Sequence, residues 1–258
     1  MSVRMFWIAI SRKELRMENF TFIAVFGTLT GVFGTTLGGL LGCFMKESSN
    51  KLSSIFLELA AGIMTAVVCF DLLPEGFFLS GIQMTLAGFM LGVVLLCVTE
   101  TVMKCFSRRF AESRLAKTGF LVFIGIMLHN LPEGLAIGAG FGSSVKLGLT
   151  LALVIALHDV PEGIAITLPL RKSGMGFGKA VALAFLSGLP TGIGAVMGSV
   201  LGNISAEMIA LSLGFAGGAM MYVVSGELLP ESNRLYRGRM PVMCYMVGFL
   251  AGIFVTRL

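Results

Sequence analysis

Apolar runs follow one another along almost the whole chain, and polar residues gather in the gaps between them. A helix that crosses a bilayer needs about 20 mostly apolar residues. Eight stretches reach that length: 21–45, 53–79, 83–103, 119–141, 146–169, 179–201, 208–231 and 241–256. Residues 1–20 hold a shorter apolar run, Met5 to Ile10, between Arg4 and the basic set Arg12, Lys13 and Arg16. That run is too short to span and has no small-residue cleavage site, so it is expected to lie along the interface. The pattern predicts an all-α integral membrane protein of eight transmembrane helices, one polytopic domain over residues 1–258, with no length left for a soluble domain.

The apolar pattern also repeats. AAGIMTAVVCFDLLPE (60–75) aligns without gaps on AGGAMMYVVSGELLPE (216–231), which sets Asp71 on Glu227 and Glu75 on Glu231. TGVFGTTLGGLLG (30–42) is a looser relative of TGIGAVMGSVLG (191–202). HNLPEGLAIG (129–138) returns 29 residues later as HDVPEGIAIT (158–167). Helices 1–3 therefore echo helices 6–8, and an odd number of spans forces the two copies to enter the membrane from opposite sides. The prediction is an inverted repeat around a central pair, helix 4 and helix 5, an arrangement that transporters use to place a site near the midplane.

Composition agrees with the membrane class: 56% of the 258 residues are hydrophobic and 13% charged, where soluble domains sit near a quarter. The net charge of +5 does not indicate a nucleic-acid partner, because the 19 Lys and Arg lie at or beyond the span ends. Most of them fall in the connections 1–2, 3–4, 5–6 and 7–8, above all in the basic loop 104–118, which carries KCFSRRFAESRLAK. By the positive-inside rule these connections are cytoplasmic, both termini are extracytoplasmic, and the chain sits in the plasma membrane in contact with the lipid bilayer. The five cysteines have no CxxC spacing and read as packing residues. Gly34, Gly38 and Gly42 permit close helix approach, within the chain first and at a homodimer seam second.

The acids are distributed in the opposite way. Glu58, Asp71, Glu75, Glu100, Glu133, Asp159, Glu162, Glu227 and Glu231 fall in the spans or at their ends, where no basic residue is expected to pair with them. Glu58 and Glu100 are close enough to span ends to read as water-facing. Glu133, Asp159 and Glu162 are mid-span, where an ionisable group marks a pathway or a partner.

The two histidines of the chain are His129 and His158, and a Glu follows each of them four residues later. Positions i and i+4 share a helix face. His129, Asn130 and Glu133 therefore stack on helix 4, and His158, Asp159 and Glu162 on helix 5. Imidazole and carboxylate together suit zinc, iron, manganese or cobalt, whereas an all-oxygen set would suit magnesium or calcium. Pro132 and Pro161 are expected to kink their helices and to free the carbonyls of Leu128 and Leu157. Asp71, Glu75, Glu227 and Glu231 are candidates for the route to and from this core.

At HNLPEG and HDVPEG the chain resembles the ZIP (Zrt/Irt-like) family of divalent-metal transporters, in its prokaryotic zinc-uptake, GufA-like branch. The resemblance covers nearly the whole chain. It implies that His129, Asn130, Glu133, His158, Asp159 and Glu162 line a transport site, and that divalent metal moves into the cytoplasm as substrate. Zinc comes first, with iron, manganese or cadmium on the same donors and no prosthetic group. Two departures stand out. Family members with SGLxEP carry a helix-6 Glu that helps hold a second metal; here the run is SGLPTG (187–192), with Thr191 in its place. The His-rich loop between helices 3 and 4 is also missing. The competing readings are an integral-membrane metal-dependent hydrolase on the same ligands and a proton-conducting or non-transporting scaffold. The absence of HExxH and the two-state symmetry favour a carrier, not an enzyme.

Overall fold

In the computed structural model, which describes residues 3–45, 50–107 and 114–256, the chain folds into packed helices, and the described residues contain no strand. The helices are α1 (Val3–Phe44), α2 (Asn50–Val67), α3 (Leu73–Ser107), α4 (Arg114–Ser143), α5 (Val145–Lys172), α6 (Phe177–Ser187), α7 (Leu189–Gly202), α8 (Ala206–Val223), α9 (Leu229–Leu235) and α10 (Arg239–Thr256). Among the described residues, seven helical stretches are long and apolar enough to cross a membrane. The protein is thus an all-helical integral membrane protein. The segment expected along the interface is continuous in backbone with α1, whose apolar stretch is Phe20–Phe44.

An apolar medium offers no water to backbone or hydroxyl groups, so each must find a partner inside the fold. Threonines in the spans meet this by donating to the carbonyl one turn back: Thr28 to Ala24, Thr35 to Gly31 and Thr65 to Ala61, at 2.7, 2.8 and 2.7 Å. A single residue, Ser144, connects α4 to α5, and its side chain caps α5 by accepting from the Leu147 amide at 3.1 Å. So short a connection makes α4 and α5 an antiparallel hairpin.

The helices touch through glycines, and the contacts come in matched pairs. A Cβ on Gly38 of α1 would strike the Val160 backbone of α5, and one on Gly194 of α7 would strike Leu131 of α4. Likewise Gly163 abuts Thr35, and Gly134 abuts Thr191. Farther out, Gly62 lies against Tyr245, and Gly218 against Phe89. In each pair, positions on the outer helices differ by 156 residues and those on α4 and α5 by 29. Gly34, Gly38 and Gly42 all face α5, so this spacing serves packing within the chain and is no argument for a homodimer seam.

Three features depart from the expected helices. Helix 6 is not one rod: α6 ends at Ser187, Gly188 makes a turn, and α7 restarts with Pro190 in its first turn, where a missing amide hydrogen costs nothing. The second departure is a pair of wide π-helical turns, Val68–Leu72 after α2 and Val224–Leu228 after α8. In each, an amide bonds five residues back, Leu73 to Val68 and Leu229 to Val224, immediately before Pro74 and Pro230. A proline cannot donate to the turn before it, and the ring pushes that turn open. By contrast α4 and α5 continue as helices through Pro132 and Pro161. Third, Gly81 leaves helical geometry at φ 76°, ψ 176° inside the apolar stretch Asn50–Val102.

Candidate metal centre

The two histidine-bearing turns of α4 and α5 face each other in the interior. His129, Asn130, Glu133, His158, Asp159 and Glu162 are all buried. Donor atoms of Glu133, His158, Asp159 and Glu162 lie within 4.8 Å of one another, close enough for one cation to touch all four. His158 Nε2 is 2.8 Å from Glu133 Oε1 and 3.6 Å from Asp159 Oδ1. His129 Nε2 stands 3.1 Å from Glu162 Oε2, yet neither atom is aligned for a hydrogen bond.

The same region concentrates polar atoms with no hydrogen-bond partner. They include both nitrogens of His129, Nδ1 of His158, Oε2 of Glu133, and both carboxylate oxygens of Asp159 and of Glu162. Leaving a buried charged acceptor unmet costs at least about 1–3 kcal/mol. So many at one place call for protons, water or a bound cation to meet them. Nitrogen and oxygen donors at this spacing fit a borderline divalent cation such as zinc, with coordination distances near 2.0–2.2 Å.

Asn130 does something the sequence did not suggest. Its Nδ2 donates to the Ser187 carbonyl at 2.7 Å, capping the helix-6 break, while its Oδ1 stays buried and unpartnered. Thr191, in the first turn of α7, is buried with its hydroxyl against Gly31 of α1 and no hydrogen-bond partner. The break thus brings α6, α7 and α4 together behind the four-donor cluster.

The secondary acids are scattered. Asp71 and Glu227 sit in the two wide turns and are half-buried. The Glu227 carboxylate lies 3.7 Å from where a Cβ on Gly125 would stand, one turn along α4 from His129. Glu75 accepts a hydrogen bond from Ser143 at the end of α4. Glu231 forms an exposed ion pair with Arg234, Oε1 to Nη2 2.6 Å, so the expectation that none of these acids meets a protein cation fails there. Glu58 is not water-facing: it is buried and accepts from Ser232 Oγ at 2.9 Å, which also lies 2.8 Å from Ser54 Oγ. Glu100 accepts from the Tyr222 hydroxyl. The sequence carried one faint trace of the Glu58 network, the polar SN after LLPE at 232–233.

Comparison with known proteins places this geometry in a family. Residues 107–256 match the family described as ZIP zinc transporter. Zinc transporter GufA of Myxococcus xanthus is 43% identical over 118 residues, 45% of this chain and 46% of that protein. Zinc transporter ZIPB of Bordetella bronchiseptica is 33% identical over 251 residues, 90% of this chain and 80% of that protein. Zinc transporter ZupT of Akkermansia muciniphila is 28% identical over 263 residues, 92% of this chain and 97% of that protein. The match to GufA spans less than half of that relative, whereas those to ZIPB and ZupT cover at least 90% of this chain and 80% or more of each relative.

Proposed function

The chain belongs to the ZIP family of zinc transporters, and we propose that it carries zinc into the cytoplasm through the cluster of Glu133, His158, Asp159 and Glu162, assisted by His129 and Asn130. One observation carries this reading: a buried, four-donor set of nitrogen and oxygen atoms in a membrane interior, with most of its acceptors unmatched within the protein. A passing cation with two charges supplies the missing partner for as long as it is held. The metal is substrate here, and the family relatives are transporters rather than hydrolases.

Eight spans in an inverted repeat are the architecture we infer. The stretch Asn50–Val102 has 53 residues, about 80 Å as one helix against a hydrocarbon core of about 30 Å. Division at Gly81 turns it into two crossings. The matched glycine contacts and the two wide turns, all at the same separation of 156 residues, support a twofold relation between helices 1–3 and 6–8. By the positive-inside rule, the basic connections support a cytoplasmic position for the α5–α6 turn and the region after α9. Asp71 and Glu75 then lie toward the outside of the cluster, and Glu227 and Glu231 toward the inside, as successive stations for the ion.

Thr191 adds no charge to the cluster, so we assign one tightly held metal per subunit. The test is uptake of radiolabelled zinc by the purified protein in vesicles, with iron, manganese and cadmium as competitors. Saturable uptake that zinc blocks at the lowest concentration is expected. Hydrolysis of a substrate without metal flux would overturn the reading.

A further inference from the structure

The helices divide into two sets by how closely they touch. Among the described residues, wherever a Cβ built on a glycine would come within 3.0 Å of another helix, both partners belong to α1, α4, α5, α6 and α7, or both to α2, α3, α8, α9 and α10. The hydrogen bond from the Ser143 hydroxyl to the Glu75 carboxylate crosses from one set to the other. Ser143 is the last residue of α4, and Glu75 is the third of α3. Both are half-buried.

The repeat gives each of them a counterpart. A shift of 29 residues carries Ser143 to Lys172, the last residue of α5. A shift of 156 carries Glu75 to Glu231, the third residue of α9. Because α4 and α5 are antiparallel, the counterpart ends lie on the opposite side of the membrane. There Glu231 is turned to Arg234, one turn farther along α9, at 2.6 Å. The contact that the repeat would make twice is therefore made once.

An inverted repeat has a second arrangement, in which the two halves exchange their packing. A contact made by one half here is made by the other half there. The residues at the second end suit it: a carboxylate again accepts, and the serine hydroxyl is replaced by an ammonium with three donors on a four-carbon stem. Exposed ion pairs are weak, so Glu231 can trade Arg234 for another cation at little cost.

We propose that Lys172 and Glu231 form an ion pair when Ser143 and Glu75 part, so that the two contacts alternate as the protein works. Glu231, an acid on the inner part of the metal's route, is then matched by an ammonium for as long as the outer contact is broken. It is released again when Ser143 returns to Glu75. This rests on the transport reading and its inverted repeat, but its test reads the contacts alone.

A water-soluble carbodiimide condenses a carboxylate with an amine in contact with it and leaves arginine unchanged. Applied to the full chain in vesicles, it should join Lys172 to Glu231 through an amide, read by mass spectrometry of the digested protein. In a form without its own cysteines, Glu75→Cys and Ser143→Cys can be linked by a short bifunctional thiol reagent, which pins the outer contact. The amide yield should then fall about tenfold relative to the same protein unpinned. Ser143→Ala, which removes the outer hydroxyl and little else, should raise the yield a few-fold. Equal yields in pinned and unpinned protein, or no Lys172–Glu231 amide in a parent that takes up zinc, would overturn the proposal. Should the double cysteine variant fail to fold, Ser143→Ala decides alone, and an unchanged yield counts against the proposal. Parent protein in which the two contacts alternate but which takes up no zinc would defeat the transport reading alone.

Discussion

Glu133 on α4 and His158 on α5 meet across the helix hairpin at 2.8 Å, both fully enclosed. The contact joins the two repeated motifs crosswise, and His129 Nε2 lies likewise 3.1 Å from Glu162 Oε2 of the other motif. Crosswise pairing holds the two helices in register and keeps four donors around one point.

Removing either donor should therefore end transport. Outer-sphere partners of metal ligands are worth about 10–100-fold, and a ligand itself should be worth at least that much. Glu133→Ala and His158→Ala are expected to abolish saturable zinc uptake while the protein keeps its elution profile. Phe78→Ala, on a side chain 85% exposed on the outer surface, is the control and should leave uptake near normal. Normal uptake by both donor variants would remove the cluster from the pathway.

Asn130→Ala should weaken the fold itself. It strands the Ser187 carbonyl inside the protein, at a cost of about 1–3 kcal/mol. Thermal unfolding in detergent reads the loss, and an unchanged midpoint would mean that another group caps the helix-6 break.

The glycine contacts make a sharp steric prediction. Gly134→Ala drives a Cβ into the Thr191 backbone and should destabilise the protein by about 1–3 kcal/mol, as overpacking does. Gly178→Ala meets nothing within 4 Å and should be neutral or better. Equal thermal midpoints for the two would contradict the close approach of α4 to α7.

Orientation can be read at two exposed connections. Gly176→Cys, between α5 and α6, should label only from the cytoplasmic side. Ile204→Cys, between α7 and α8, should label only from outside. The reverse pattern would invert the direction of transport argued above.

Metal titration addresses Thr191. Calorimetry on the unmodified protein should give one tight zinc per subunit, because the buried carboxylates near the cluster are Glu133, Asp159 and Glu162, and a second divalent ion lacks charge to balance it. Two sites of similar affinity would show that neutral donors suffice.

Much of the cluster was legible in the sequence because it obeys a local rule: i, i+4 spacing on a helix, written twice. The membrane class was legible for the same reason, since apolar length is a local property. Glu58 was misread because its partner, Ser232, is 174 residues away, and proximity to a predicted span end says nothing about burial. The role of Asn130 was hidden because it depends on a carbonyl exposed only when helix 6 breaks. SGLP held the signal for that break, a Gly followed two residues later by Pro, but the unbroken apolar run concealed it.

A π-helical turn spends one more residue than regular winding requires, so whatever follows is rotated by about 100° about the helix axis. Val68–Leu72 thus works as a phase shifter. Before it, Met64 and Val67 point into the buried cluster; beyond it, Glu75 reaches Ser143 at the end of α4. One continuous rod thereby addresses two different neighbours. Deleting a single residue from this segment would restore even winding and turn Glu75 away from Ser143, although no contacting side chain had been altered. The frame of the chain here carries as much information as the identity of its residues.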